Sequence, residues 1–185
     1  MHRRTLMKSL LAAGALAGGL VAAGTATANS KRPSAVVKPK RLQAGMTVGL
    51  IAPAGASRNR QQVYHAIDVL KSLDYKVKEG KHLYNRTQYL AGTDLERAED
   101  INRMFADPAV DAIFTLHGGY GTMRTLPYLD YDMIADNPKV IIGYSDITGL
   151  LLALYARTGL ACFHGPCAVS TFSEYTLDEY KKVVV

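Results

Sequence analysis

Short apolar blocks alternate along this chain with longer stretches in which apolar residues recur every three or four positions. That alternation is the signature of buried strands followed by amphipathic helices. TVGLIAPAG (47–55) predicts a buried strand ending in a Pro/Gly turn. In RNRQQVYHAIDVLKSL, Val63, Ala66, Ile67 and Leu70 share one side of a helix, and YKVKEG supplies a short strand after it. Thr93 and Glu96 have the spacing of a capping box, in which each satisfies a free N–H of the other's turn. Leu95, Ala98, Ile101, Asn102 and Phe105 then fall on one side, and Pro108 helps to end the helix. VDAIFTL (110–116) predicts the next strand and delivers the chain to HGGYG. A Tyr/Asp-rich connection leads to KVIIG, a further strand, and to DITGLLLALYART, a helix apolar almost all round and therefore expected to be buried. LACFHG begins one more strand. The order predicts an α/β fold with a mostly parallel sheet and helices on both faces, three-layered and flavodoxin-like. Sites in such sheets form in the loops beyond the carboxyl ends of the strands, where the glycine-rich loop and Ser145 both fall.

The first 28 residues depart from this pattern. A basic start, an apolar Ala/Leu/Gly middle and a small-residue exit at Ala26-Thr27-Ala28 read as a targeting segment. Arg3-Arg4-Thr5-Leu6-Met7-Lys8 fits a twin-arginine export signal. The rival reading is an uncleaved membrane anchor, against which Gly14, Gly18, Gly19 and Gly24 dilute the apolar run. On either reading the working part is expected outside the cytoplasm, in the periplasm or cell envelope, with membrane contact only through an uncleaved signal. Without the leader the chain would keep 157 of its 185 residues, enough for one domain spanning 42–185. Loss of Arg3, Arg4 and Lys8 lowers the formal charge from +6 to +3, which removes the argument for nucleic acid as a partner. Residues 29–41, NSKRPSAVVKPKR, read as a basic linker in which prolines prevent regular structure. Cys162 and Cys167 lack the spacing of a metal site, so no metal is expected; they are either small packing residues or a disulfide across a short loop.

Gly118, Gly119 and Gly121 could expose N–H groups to an anion or could simply make a tight turn. As a dinucleotide fingerprint the loop fails, because Arg124 stands at the third glycine's place and apolar Ile141 where the acid should be. Ser145 and Asp146 precede an apolar helix, as a cap would. They also fit a nucleophile elbow, in which the serine hydroxyl rises above the sheet and the next N–H points at a developing oxyanion. Gly143 is in place for that motif, but Ile147 occupies the second glycine's position. His65 and His82 read as surface or edge residues, and Glu174, Asp178 and Glu179 as a solvated helix face.

Taken together, the glycine loop, Leu129-Asp130-Tyr131, Pro138-Lys139, Gly143-Tyr144-Ser145-Asp146 and Phe163-His164-Gly165-Pro166 resemble the N-terminal domain of the LD-carboxypeptidases over residues 42 to about 170. This serine peptidase family includes muramoyl-tetrapeptide carboxypeptidases and microcin-immunity peptidases. The resemblance implies Ser145 as nucleophile, the backbone N–H groups of Asp146 and Gly119 as oxyanion donors, and Gly118, Tyr120, His117 and His164 lining the substrate. It implies release of terminal D-alanine from murein tetrapeptides through an acyl-enzyme, with no metal or organic cofactor. The family loop carries an arginine where this chain has His117. The family's general base histidine and its glutamate belong to a C-terminal domain, which is expected to be absent after YKKVVV. Such a chain would be incomplete as an enzyme and would expose an apolar interface, favouring self-association or a homodimer. A non-catalytic envelope module that binds wall peptides is the alternative.

Overall fold

The computed structural model describes residues 35–185; the proposed signal peptide and residues 29–34 of the linker lie outside the described residues. Five parallel strands form one sheet: β1 (Thr47–Ile51), β2 (Lys76–Glu79), β3 (Ala112–Thr115), β4 (Val140–Gly143) and β5 (Phe163–His164). Their spatial order is β2-β1-β3-β4-β5, the flavodoxin-like arrangement. Connecting them are α1 (Arg60–Ser72), α2 (Asp94–Ala106), α3 (Thr122–Thr125), α4 (Tyr131–Asp136), α5 (Ile147–Thr158) and α6 (Glu174–Val184).

Side chains alternate across the strands, so two cores form, one on each face. Val48, Leu50, Ala112, Phe114, Val140 and Ile142 pack with α1 and α6. Ile51, Ile113 and Ile141 pack with α2, α4 and α5. All four positions of β3 and of β4 are buried, which is why both read as uninterrupted apolar runs rather than alternating ones. Among these strands β5 has only two residues, and its far edge is flanked by cavities of about 320 and 310 Å³ that share Cys162 and His164.

The capping box of α2 is complete: Thr93 Oγ1 accepts from Glu96 N–H and the Glu96 carboxylate accepts from Thr93 N–H at 2.7 Å. Three sequence expectations change. Leu95, expected on the inner side of α2, is 61% exposed, and Arg97 takes the inward place at 1% exposure. α5 is not buried all round, since Leu152 (62% exposed) and Tyr155 (49%) face outward while Ile147, Leu150, Leu151 and Leu154 face the sheet. The connection between β3 and β4 holds two short helices, and Asp130 caps the second by accepting from Met133 N–H.

The end of the segment read as a linker is tied to the domain. Val37 N–H donates to Gly159 C=O at 2.9 Å, Ala161 N–H donates to Val37 C=O at 2.8 Å, and Arg41 Nη2 donates to Lys182 C=O at 2.9 Å. Cys162 and Cys167 are free thiols; Cys167 is fully buried beside Thr115 Oγ1, and burial pushes the Cys162 thiol up to about 12. Among the described residues no helix is long and apolar enough to cross a membrane.

Candidate active site

β3 and β4 are neighbours in the sheet and carry the two segments of interest side by side at their carboxyl ends. β4 ends in Gly143, where no side chain fits: a Cβ there would lie 2.3 Å from Thr115 Oγ1 and 2.7 Å from Ile147 Cγ2. The chain then turns so sharply into α5 that Ser145 adopts φ +65°, a left-handed conformation that L residues other than Gly, Asn and Asp rarely take. A serine that merely capped the helix would sit in extended backbone. The elbow geometry, with an exposed Ser145 on a strand-to-helix turn, is therefore what the structure holds.

The glycine loop lies against that turn. A Cβ on Gly118 would stand 3.0 Å from Ser145 Cβ, 3.2 Å from Ser145 Oγ and 3.3 Å from Asp146 N. Glycine at 118 thus keeps open the space between the hydroxyl and the Asp146 amide. The Gly118 carbonyl accepts from Gly55 N–H at 3.2 Å and from His117 Nδ1 at 2.8 Å, so Nδ1 carries a hydrogen. In a trans peptide the carbonyl and the following N–H point opposite ways, so holding this carbonyl turns the Gly119 N–H away from Gly55 and His117. Gly119 has φ +117°, open to glycine alone at no steric cost. Among the described residues neither the Gly119 N–H nor the Asp146 N–H has an acceptor. Two free amide donors beside an exposed hydroxyl form a site that can receive a carbonyl oxygen and stabilise it as it gains negative charge.

The other sequence-predicted residues fall as follows. His117, part-buried, is tied to its own loop: Nδ1 bonds the Gly118 carbonyl, and Nε2 is buried without a partner among the described residues. His164 is beside Gly143 in the strand register, exposed, and edge-on to Tyr144 with ring centroids 6.4 Å apart. Tyr120, at the loop's tip, is 57% exposed and tilted against Tyr89, 6.1 Å away. Asp146 caps a helix, but not its own: its side chain makes no bond in α5 and instead accepts from Thr122 N–H and Thr122 Oγ1, each at 2.9 Å. Ser145 Oγ has no hydrogen-bond partner among the described residues. His65 is exposed as expected, whereas His82 is mostly buried, with Nε2 2.9 Å from Glu99 Oε2. Glu174, Asp178 and Glu179 form an exposed helix face. No group of three or more His, Cys, Asp or Glu among the described residues could hold a metal ion.

Sequence reasoning missed Arg97, whose guanidinium bonds Pro53 and Gly121 carbonyls, and Gly55, which anchors the loop. The available signal for Arg97 was its place four residues before Ile101, inside the apolar side of α2.

Comparison with known proteins points one way. A family model described as the LD-carboxypeptidase N-terminal domain matches residues 48–165. The probable murein peptide carboxypeptidase of Bacillus subtilis (strain 168) is 45% identical over 129 residues, covering 70% of this chain and 40% of that protein. The murein tetrapeptide carboxypeptidase of Pseudomonas aeruginosa is 40% identical over 131 residues, covering 65% and 39%. Among solved structures, the MccF-like protein of Bacillus anthracis str. Ames has a TM-score of 0.76 and 32% identity, covering 81% of this chain and 47% of that one. The chain spans about 40% of the length of these curated relatives.

Proposed function

The chain belongs to the LD-carboxypeptidase family, and from that premise we propose that it carries the nucleophile and oxyanion donors of a serine carboxypeptidase that releases terminal D-alanine from murein tetrapeptides. The observation that carries this reading is the left-handed Ser145, with its exposed hydroxyl beside the free N–H groups of Asp146 and Gly119. Ser145 Oγ attacks the carbonyl carbon of the penultimate diamino acid. The carbonyl oxygen takes negative charge against the two amides, the C–N bond breaks, and D-alanine leaves with a proton. Water then cleaves the ester and restores the hydroxyl. Tyr120 and His164, exposed at the rim, are the substrate-lining residues of this scheme.

A serine hydroxyl is a weak nucleophile until a base takes its proton. Ser145 Oγ has no such partner among the described residues, so the proposed chemistry requires a base from outside them. The substrate follows the names of the two murein carboxypeptidase relatives, and the proposed place of action is the cell envelope, reached through the twin-arginine pattern at Arg3-Arg4.

The test is incubation of the full natural chain with a tetrapeptide muropeptide, following D-alanine by mass spectrometry. Release that vanishes in Ser145→Ala supports the proposal. Release that survives in Ser145→Ala, or none from the unaltered chain, overturns it. For localisation, Arg3→Lys/Arg4→Lys should retain the protein in the cytoplasmic fraction.

A further inference from the structure

The strongest cluster outside the reacting groups is centred on the buried arginine of α2. Arg97 Nη1 donates to Pro53 C=O and to Gly121 C=O, each at 2.7 Å, and Nη2 bonds Asp94. Pro53 belongs to the loop after β1, and Gly121 ends the glycine loop after β3, so one guanidinium ties two active-site loops to a helix. Its fit is close: a Cβ on Gly121 would come within 2.9 Å of Arg97 Nη1 and 2.6 Å of Leu90 Cδ2.

The same peptide is held from its other side. Gly121 supplies the carbonyl that Arg97 grips, and Thr122, the next residue, donates its N–H to Asp146 Oδ2 at 2.9 Å. Because a peptide unit is a rigid plane, bonding both its carbonyl and its N–H fixes its orientation. Asp146 is also the residue whose own N–H, like the Ser145 hydroxyl, lies beside Gly118. One residue therefore supplies one oxyanion donor and, through its side chain, fixes the loop that carries the other.

We infer that Arg97 is a positioning residue: together with the Asp146 carboxylate it clamps the Gly121–Thr122 peptide and so sets the distance between the Gly119 and Asp146 donors. This rests on the proposed serine carboxypeptidase reading for its catalytic consequence, but the clamp itself is a property of the loop. Nη1 serves both carbonyls while Nη2 holds Asp94; a lysine at the site is shorter and has one nitrogen, so it cannot keep Asp94 and both carbonyls at their present positions. Loss of the guanidinium leaves the Gly121–Thr122 peptide held by Asp146 and by the Arg124 N–H within α3, but no longer tied to α2 and the Pro53 loop. Donor misplacement of this kind lowers the rate of the chemical step more than substrate affinity.

The experiment compares Arg97→Lys, Arg97→Met and Arg103→Met in the full natural chain. Arg103 lies on the same helix in an exposed ion pair with Glu99 and serves as the control. D-alanine release gives kcat and KM, and hydrogen exchange read by mass spectrometry reports the amides of residues 118–122. Arg97→Lys is expected to lower kcat about 10- to 100-fold with KM held within about threefold, while the loop amides exchange about 10-fold faster. Arg103→Met should match the unaltered protein in both measurements. Arg97→Met removes the donor to the Pro53 carbonyl and one of the two donors to the Gly121 carbonyl; if it fails to fold, Arg97→Lys still decides. Unchanged kcat in Arg97→Lys, or a loss accounted for by a smaller folded fraction, overturns the inference. If the unaltered chain releases no D-alanine, the functional reading fails while the exchange arm still decides the clamp, and unaltered exchange in Arg97→Lys would sink it.

Discussion

At the amino end of the sheet, Thr47 and Asp111 pair with each other and Lys139 with the end of α2; at the carboxyl end, the Gly119 and Asp146 N–H groups have no acceptor among the described residues. At the amino end Thr47 N–H donates to Asp111 Oδ2 and Asp111 N–H to Thr47 C=O, both at 2.8 Å. Lys139 Nζ donates to the Met104 and Asp107 carbonyls, satisfying the last turn of α2. Left-handed backbone occurs at both ends, but at the amino end it falls on Gly45 (φ +81°) and Asp74 (φ +65°), residue types that tolerate it. At the carboxyl end it falls on Gly92, Gly119 and Gly121, on Gln88 (φ +57°) in the loop after β2, and on Ser145, beside amides with no acceptor among the described residues. Positive φ alone is thus no mark of a site. What distinguishes the carboxyl end is left-handed backbone at a serine whose hydroxyl makes no hydrogen bond among the described residues, next to amide donors without acceptors there.

The sharpest way to break this comparison is Ser145→Gly. Glycine accepts the elbow's backbone, so turnover should fall by about 10³-fold or more, while stability stays within about 1 kcal/mol of the unaltered protein, read by urea unfolding. Gly118→Ala comes next. The added methyl enters the space between Ser145 Oγ and Asp146 N, and turnover should drop by about 100-fold with the fold retained, as circular dichroism would report. Gly45→Ala is its counterpart at the quiet end. Nothing lies within 4 Å of that added methyl, so only the backbone conformation opposes it. The expected loss is about 1 kcal/mol in thermal unfolding, with turnover per folded molecule unchanged. A drop in specific activity there would erase the distinction between the two ends.

The smallest effect is in acid. The Lys78 ammonium and the Ala109 N–H hold the Asp107 carboxyl below its usual range. A depressed folded-state pKa contributes stability that is fully present above the unfolded value near 4 and is lost as pH falls through the folded one. Urea midpoints of the unaltered protein and Lys78→Gln should therefore converge as pH falls below about 4. Because the pair sits at the amino end, its loss should leave turnover per folded molecule alone.

The fold was legible because its signals are local or periodic. The capping box at Thr93, the inward stripe Val63-Ala66-Ile67-Leu70 and the unbroken runs of β3 and β4 each follow from a few adjacent residues. The loops at 117–121 and 144–146 were legible as places where a site would form. What stayed hidden depends on partners distant in sequence. Asp146 caps α3 through Thr122, 24 residues away, and Arg97 reaches Pro53, 44 residues away. The inward turn of Arg97 displaced Leu95 from the stripe that periodicity gave it, since a buried guanidinium needs carbonyls that only the folded loops supply. The helices α3 and α4 were missed because four and six residues contain too few turns to establish a period.

The left-handed serine also carries an evolutionary reading. A glycine or asparagine would relieve backbone energy of order 1 kcal/mol at that turn, comparable to the margin by which single substitutions alter cellular abundance. In any lineage where the hydroxyl had ceased to be useful, drift would be biased toward those two residues. The amino acid found at position 145 therefore records whether selection is still acting on the elbow, and among descendants of this chain its replacement would be an early sign that the chemistry had been abandoned.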